Sequence, residues 1–150
     1  MSESKYGKYI LTELKTKVEA PWAPVFNPEE IKRVLFLDSD VVDGAFYVEC
    51  AYFLPGMVIG DKYQENAVRP HKHVYDEVLA VFGTDIENPQ DLGGELEFWL
   101  DDEKHIISKS CIVFIPKGLT HGPIKWNRID RPVFHFAVGT AAKYFEEVDQ

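Results

Sequence analysis

The chain of 150 residues is short of several things, and each shortage removes a class of protein. It has two cysteines, Cys50 and Cys111, both inside apolar strand-like runs ("YVECAYFL" and "KSCIVFIP") and with no CxxC pair. Nothing in that spacing supports a disulfide framework, and two reduced core thiols are expected. No apolar run approaches the ~20 residues needed to cross a bilayer. The opening "MSESKYGKYI" is polar and lacks the apolar centre of a signal peptide, so a cytoplasmic location is expected. Positive charge is scarce, with 16 Lys and Arg against 25 Asp and Glu, a net charge of −9. Nucleic acids and anionic membranes both select a concentrated positive surface, so neither is an expected partner. Internal repeats and low-complexity segments are absent, and no regular strand–helix alternation signals a parallel α/β sheet.

What remains is rich in β-formers. Aromatic residues make up 13 % of the chain and apolar residues 45 %, enough for one well-packed domain over residues 1–150. Residues 1–30 read as an irregular arm interrupted by Pro21, Pro24 and Pro28, and "NPEEIKRVL" predicts a short helical turn capped by Asn27. Strand candidates follow: "VLFLD", "GAFYVECAYFLPG", "DEVLAVFG", "GELEFWLD", "KSCIVFIPKG" and "RPVFHFAVGT". In "GELEFWLD", Leu96, Phe98 and Leu100 alternate with Glu95, Glu97 and Trp99, the pattern of a half-buried strand. The last segment, "AAKYFEEVDQ", predicts a short amphipathic helix, while "PEEIKR" and "LDDEK" read as solvated turns. Short strands separated by Gly, Pro and Asp turns predict an all-β, antiparallel sandwich or small barrel.

Two of the five histidines lie one residue apart in "RPHKHVYDEVLAVFG" and are followed by a carboxylate. On a helix, His71 and His73 would point nearly opposite ways; on a strand they share a face, with Cα atoms about 6.6 Å apart. Two imidazoles at that spacing can converge on one ion, because metal–nitrogen bonds are ~2.0–2.1 Å. On a straight strand, Glu77 would lie about 13 Å beyond His73, out of reach. The chain must therefore turn within "VYD", with Glu77 opening the next strand and facing back. A further ligand is available in "FIPKGLTHGP", where a strand ends at Pro116, Gly118 permits a tight bend and His121 follows.

"HKHVYDE" followed some forty residues later by "IPKGLTH" resembles the two motifs of the cupin superfamily over roughly residues 45–140. The resemblance implies an antiparallel double-stranded β-helix, the jelly-roll or cupin barrel. It also implies a mononuclear site in which His71, His73 and Glu77 belong to the first motif and His121 to the second. Pro116 and Gly118 match the second motif's turn. Glu65, Ser110 and Lys125 stand where the motifs carry glycine, glycine and asparagine, and the first motif's later glycine falls one position early, at Gly83.

Three nitrogens and one carboxylate suit one divalent ion of Mn, Fe, Ni, Co, Cu or Zn rather than Ca or Mg. The family's reactions include those of dioxygenases, decarboxylases and isomerases, beside non-catalytic sensors and storage proteins. The expected function is thus a metal-dependent enzyme acting on a small oxygenated molecule; the alternatives are a binding module without turnover, or a structural dimer with a closed pocket and no metal. A homodimer paired through its sheets is expected. Of the remaining histidines, His105 is expected at an exposed hairpin, and His135 either lines the barrel or is a hydrogen-bonded core residue. Trp99, Phe114 and Trp126 read as core, Glu95 and Glu97 as solvent-facing, and only one of Tyr52 and Phe53 can face inward.

Overall fold

The structure, a computed structural model, describes residues 4–21, 29–55 and 69–147. Among the described residues, eight strands make two antiparallel sheets. They are β1 (Ile31–Leu37), β2 (Tyr47–Phe53), β3 (Glu77–Gly83), β4 (Asp91–Leu100), β5 (Glu103–Lys109), β6 (Cys111–Ile115), β7 (His121–Ile129) and β8 (Val133–Gly139). One sheet has the order β1-β2-β8-β3-β6 and the other β5-β4-β7. The all-β expectation holds in full.

The inward residues of each strand follow from period-two alternation. On β2 they are Tyr47, Glu49, Ala51 and Phe53, and on β3 Glu77, Leu79 and Val81. Leu96 and Phe98 of β4 and Trp126 of β7 share one core cluster with Ala51, Phe53, Leu79 and Val81, and Tyr47 packs with Phe36 and Ala137 in a second. Burying a side chain such as Phe98 or Leu79 stabilises the fold by roughly 1.5–3 kcal/mol. A register shift between Arg33 and Leu35 breaks the alternation on β1, so Arg33 and Phe36, three residues apart, both pair with inward positions of β2, Ala51 and Glu49.

Several expectations need correction. Residues predicted to make a helical turn enter β1 directly from a turn at 29–30; Asn27 and Pro28 lie outside the described residues. Arg33, read as part of a solvated turn, faces inward beside Glu49. The final segment is not helical: bends at 141–143 lead to an extended stretch in which Glu147 bridges Lys72. The one helical turn among the described residues is a 3-10 turn at Gly7–Tyr9. Phe114, expected in the core, is 60 % exposed on the outer face of β6, and Tyr52 is also outward while Phe53 is buried. Both cysteines are free, with Cys111 against the core and Cys50 on the sheet's outer side. Strands β5 and β7 were not anticipated, whereas the hairpin turn at Asp101–Asp102 lies where "LDDEK" predicts it.

Candidate metal centre

Glu77 is the first residue of β3, reached after bends at Val74 and Tyr75, so the required turn within "VYD" is present. His71 and His73 differ from expectation in their support: they flank an isolated bridge rather than riding a regular strand. His71 and His121 exchange backbone hydrogen bonds of 2.9 and 2.8 Å, which fixes the two motifs against each other. Gly118 has φ +82, a left-handed turn residue that places its N–H on the His73 carbonyl at 2.8 Å. Asp76 accepts the Lys117 N–H at 2.9 Å and ties the same turn to the start of β3. The tight bend expected at Gly118 thus docks one histidine-bearing loop on the other.

The three imidazoles are buried, with ring centroids 4.3–5.0 Å apart. Each donates its Nδ1–H to a backbone carbonyl: His71 to Arg69 at 2.8 Å, His73 to Phe145 at 2.6 Å and His121 to Leu119 at 3.0 Å. A carbonyl can only accept, so each Nδ1 carries a proton, and in the neutral imidazole each Nε2 is left with its lone pair. Ligand nitrogens of the three lie within 4.8 Å of one another, and the buried Nε2 atoms of His73 and His121 have no hydrogen-bond partner. Oε2 of Glu77 sits 3.2 Å from both of those nitrogens. Lone pairs facing a buried carboxylate repel unless positive charge lies between them. A metal ion meets that demand, and the carbonyl-anchored Nδ1–H groups are what metal-binding histidines require around them. The histidine cluster could therefore hold a metal.

Without a cation, protons must do this work. Burial raises the Glu77 carboxyl, but His121 and His73 outweigh it and bring the pKa to about 2. Burial lowers His73, yet contact with Glu77 carries it above its ordinary value. His71 is pushed down to about 4, by burial first and then by the neighbouring His121.

His135 lies on the inward face of β8, donates Nδ1–H to the Ala80 carbonyl at 2.9 Å and stacks on Phe53 at 5.0 Å. It is a hydrogen-bonded interior histidine, and burial pushes it to about 4. The His105 side chain is 43 % exposed beside Glu103.

Two acidic residues near the centre were not identified from sequence. Glu49 is 4 % exposed inside the barrel, hydrogen-bonded by Tyr47 Oη at 3.3 Å and Arg33 Nε at 3.4 Å. Burial, only partly opposed by Arg33, raises its pKa to about 7. The available signal was its parity with Tyr47, Ala51 and Phe53 in "YVECAYF". Glu146 comes from the extended C-terminal stretch, and reading that stretch as a helix hid it.

The fold and site together define a class: a double-stranded β-helix barrel of cupin type with a three-histidine cluster at one end. No family model matches the chain, and no curated protein matches it. Solved structures do share the fold. An oxalate oxidase in complex with the substrate analogue glycolate is 17 % identical with a TM-score of 0.54, over 98 % of this chain and 66 % of that one. A recombinant oxalate oxidase with glycolate is 16 % identical at 0.52, over 93 % and 63 %. An uncharacterized conserved protein with a double-stranded β-helix domain from Klebsiella pneumoniae is 13 % identical at 0.50, over 83 % and 89 %. The chain thus spans about two thirds of the oxalate oxidase chains, and the likeness is one of fold.

Proposed function

We propose that this chain is a metal-dependent enzyme in which His71, His73, Glu77 and His121 hold one divalent transition metal, and that it acts on a small oxygenated organic molecule by dioxygenase-, decarboxylase- or isomerase-type chemistry. The observation that carries this reading is the cluster of three imidazoles, each held at Nδ1 by a backbone carbonyl, with the Nε2 atoms of His73 and His121 both 3.2 Å from a buried carboxylate. A bound ion would polarise carbonyl or carboxylate oxygens of a substrate. The chain's own residues supply the rest. The barrel wall excludes water behind the site with Phe98, Leu96 and Leu79. Glu49, one pleat row deeper than Glu77 and two strands across from it, has a pKa of about 7, suited to holding or releasing a proton at neutral pH. That the oxalate oxidases of the same fold bind glycolate makes small hydroxy and dicarboxylic acids the first compounds to screen.

The test is elemental analysis of native-purified protein beside a His71→Ala/His121→Ala double variant. About one Mn, Fe, Co, Ni, Cu or Zn per chain, lost in the variant, is expected. No metal in either protein, even after anaerobic reconstitution, would leave the second reading, a small-molecule-binding module without turnover.

A further inference from the structure

Residues 144–147 lie as a strap against the first histidine motif. Lys72 and Glu147 exchange backbone hydrogen bonds of 2.9 and 2.7 Å. The Phe145 carbonyl accepts from His73 Nδ1 at 2.6 Å and from the Tyr75 hydroxyl at 2.9 Å, while the Phe145 N–H donates to the Tyr75 oxygen at 3.1 Å. Pinned on both sides, the strap directs the Glu146 side chain inward, where it is 6 % exposed. Its Oε2 lies 3.9 Å from His71 Nε2 and accepts the Tyr144 hydroxyl at 2.5 Å. Its Oε1 lies 3.6 Å from the half-exposed Arg69 guanidinium.

A carboxylate this buried needs close positive charge, and one loose guanidinium contact is thin compensation. The missing charge has a place. Two donor atoms bonded to one ion at ~2.1 Å are separated by at most ~4.2 Å. His71 with Glu146 at 3.9 Å and Glu77 with His73 and His121 at 3.2 Å are pairs within that limit. The atoms that all lie within 4.8 Å of one another are those of the three histidines, with the two carboxylates on either side. Glu77 thus serves two imidazoles and Glu146 serves the third.

We propose that Glu146 is a fifth protein ligand, so that the centre is a three-histidine, two-carboxylate site closed by the strap. This inference rests on the metal-site reading above. Two carboxylates would neutralise a divalent charge and would favour the harder end of the transition series, Mn or Fe. An anionic substrate would compete with the Glu146 carboxylate for the ion that His71 and Glu146 would hold. The substrate class that fits is a small anion able to replace one carboxylate by another and to pair with the freed Arg69.

Mn(II) affinity of the full chain is measured by calorimetry for wild type, Glu146→Gln and Glu146→Asp, with Co(II) absorption spectra beside it. The expected result is a loss of about 10–100-fold in Mn(II) affinity in both variants. The more intense Co(II) bands of a lower coordination number are expected with it. Hydrogen exchange at the Lys72 and Glu147 amides should slow on metal binding in wild type and much less in the variants. Should the Gln variant fail to fold, as judged by near-ultraviolet circular dichroism, the Asp variant, which keeps the charge and withdraws it by one methylene, carries the comparison. Wild-type affinity and an unchanged Co(II) spectrum in a folded variant would overturn the proposal while leaving the four-ligand site standing. Failure of the wild type to bind any metal would remove both.

Discussion

At the scale of single residues, the barrel interior holds ionisable groups whose burial is expressed in pH dependence. The Glu49 pKa is raised from its ordinary value to about 7, so between about pH 4.5 and 7 the folded state keeps a proton that the unfolded chain has released. Stability from this group is complete below pH 4.5 and declines as pH rises through 7. His135 and His71, each lowered to about 4, act oppositely: between about pH 4 and 6.5 the unfolded chain binds protons that the native state refuses, so stability falls as pH falls. Glu49→Gln removes only the first contribution. Relative to wild type, the metal-free variant should gain on the order of 3 kcal/mol between pH 5 and pH 8. Urea midpoints at the two pH values check this; a constant difference would mean that Glu49 is ionised throughout. The residues of the proposed metal site were legible one by one because spacing in a turn is a local property. Glu49 and Glu146 were not, since their importance comes from where distant strands carry them.

At the scale of elements, the strap is held by Tyr75, and Tyr75 is positioned by β8. A Cβ on Gly139 would lie 2.5 Å from Tyr75 Cε2 and 3.1 Å from Tyr47 Cδ1. Gly139→Ala should therefore displace the Tyr75 ring, cost about 1–3 kcal/mol of stability and loosen Phe145 from its hydroxyl. The measurement is a denaturation midpoint together with hydrogen exchange at the Phe145 amide; an unchanged midpoint would show that Tyr75 gives way freely. Most of the strands were readable from alternation and turn residues. The misses have a common cause. In "AAKYFEEVDQ" the apolar spacing suits a helix, but backbone pairing with Lys72 and the docking of Phe145 on Tyr75 and His73 hold the chain extended. Strand β7 has glycine and proline directly after His121 and lacks a clean alternation of buried and exposed residues, so its pairing with β4 is what makes it a strand.

At the scale of the whole molecule, the five-stranded sheet lines an apolar core set with Glu49, Glu77 and His135 on its inner face, and it is apolar on its outer face as well. Across its outer face run the rows Leu37–Val48–Val138–Val78–Phe114 and Leu35–Cys50–Phe136–Ala80–Ile112, with Tyr52, Phe134 and Phe82 beside them. Phe114 and Ile112 are 60 % and 62 % exposed. Contiguous apolar surface of this kind marks an association site, and we propose that a second copy of the chain covers it. Light scattering should give twice 17.2 kDa for wild type and a single chain's mass for Phe114→Lys. A monomeric wild type would refute the pairing.

The carbonyl anchors of the three histidines carry a consequence for how such a chain tolerates change. Arg69, Leu119 and Phe145 orient the imidazoles through main-chain oxygens, which every amino acid possesses. Substituting those three side chains leaves the orienting atoms in place as long as the local backbone path persists. Tautomer and aim are thus written in the course of the chain and not in its alphabet. The neighbourhood of the centre is free to drift widely in sequence while the imidazoles keep their bearing.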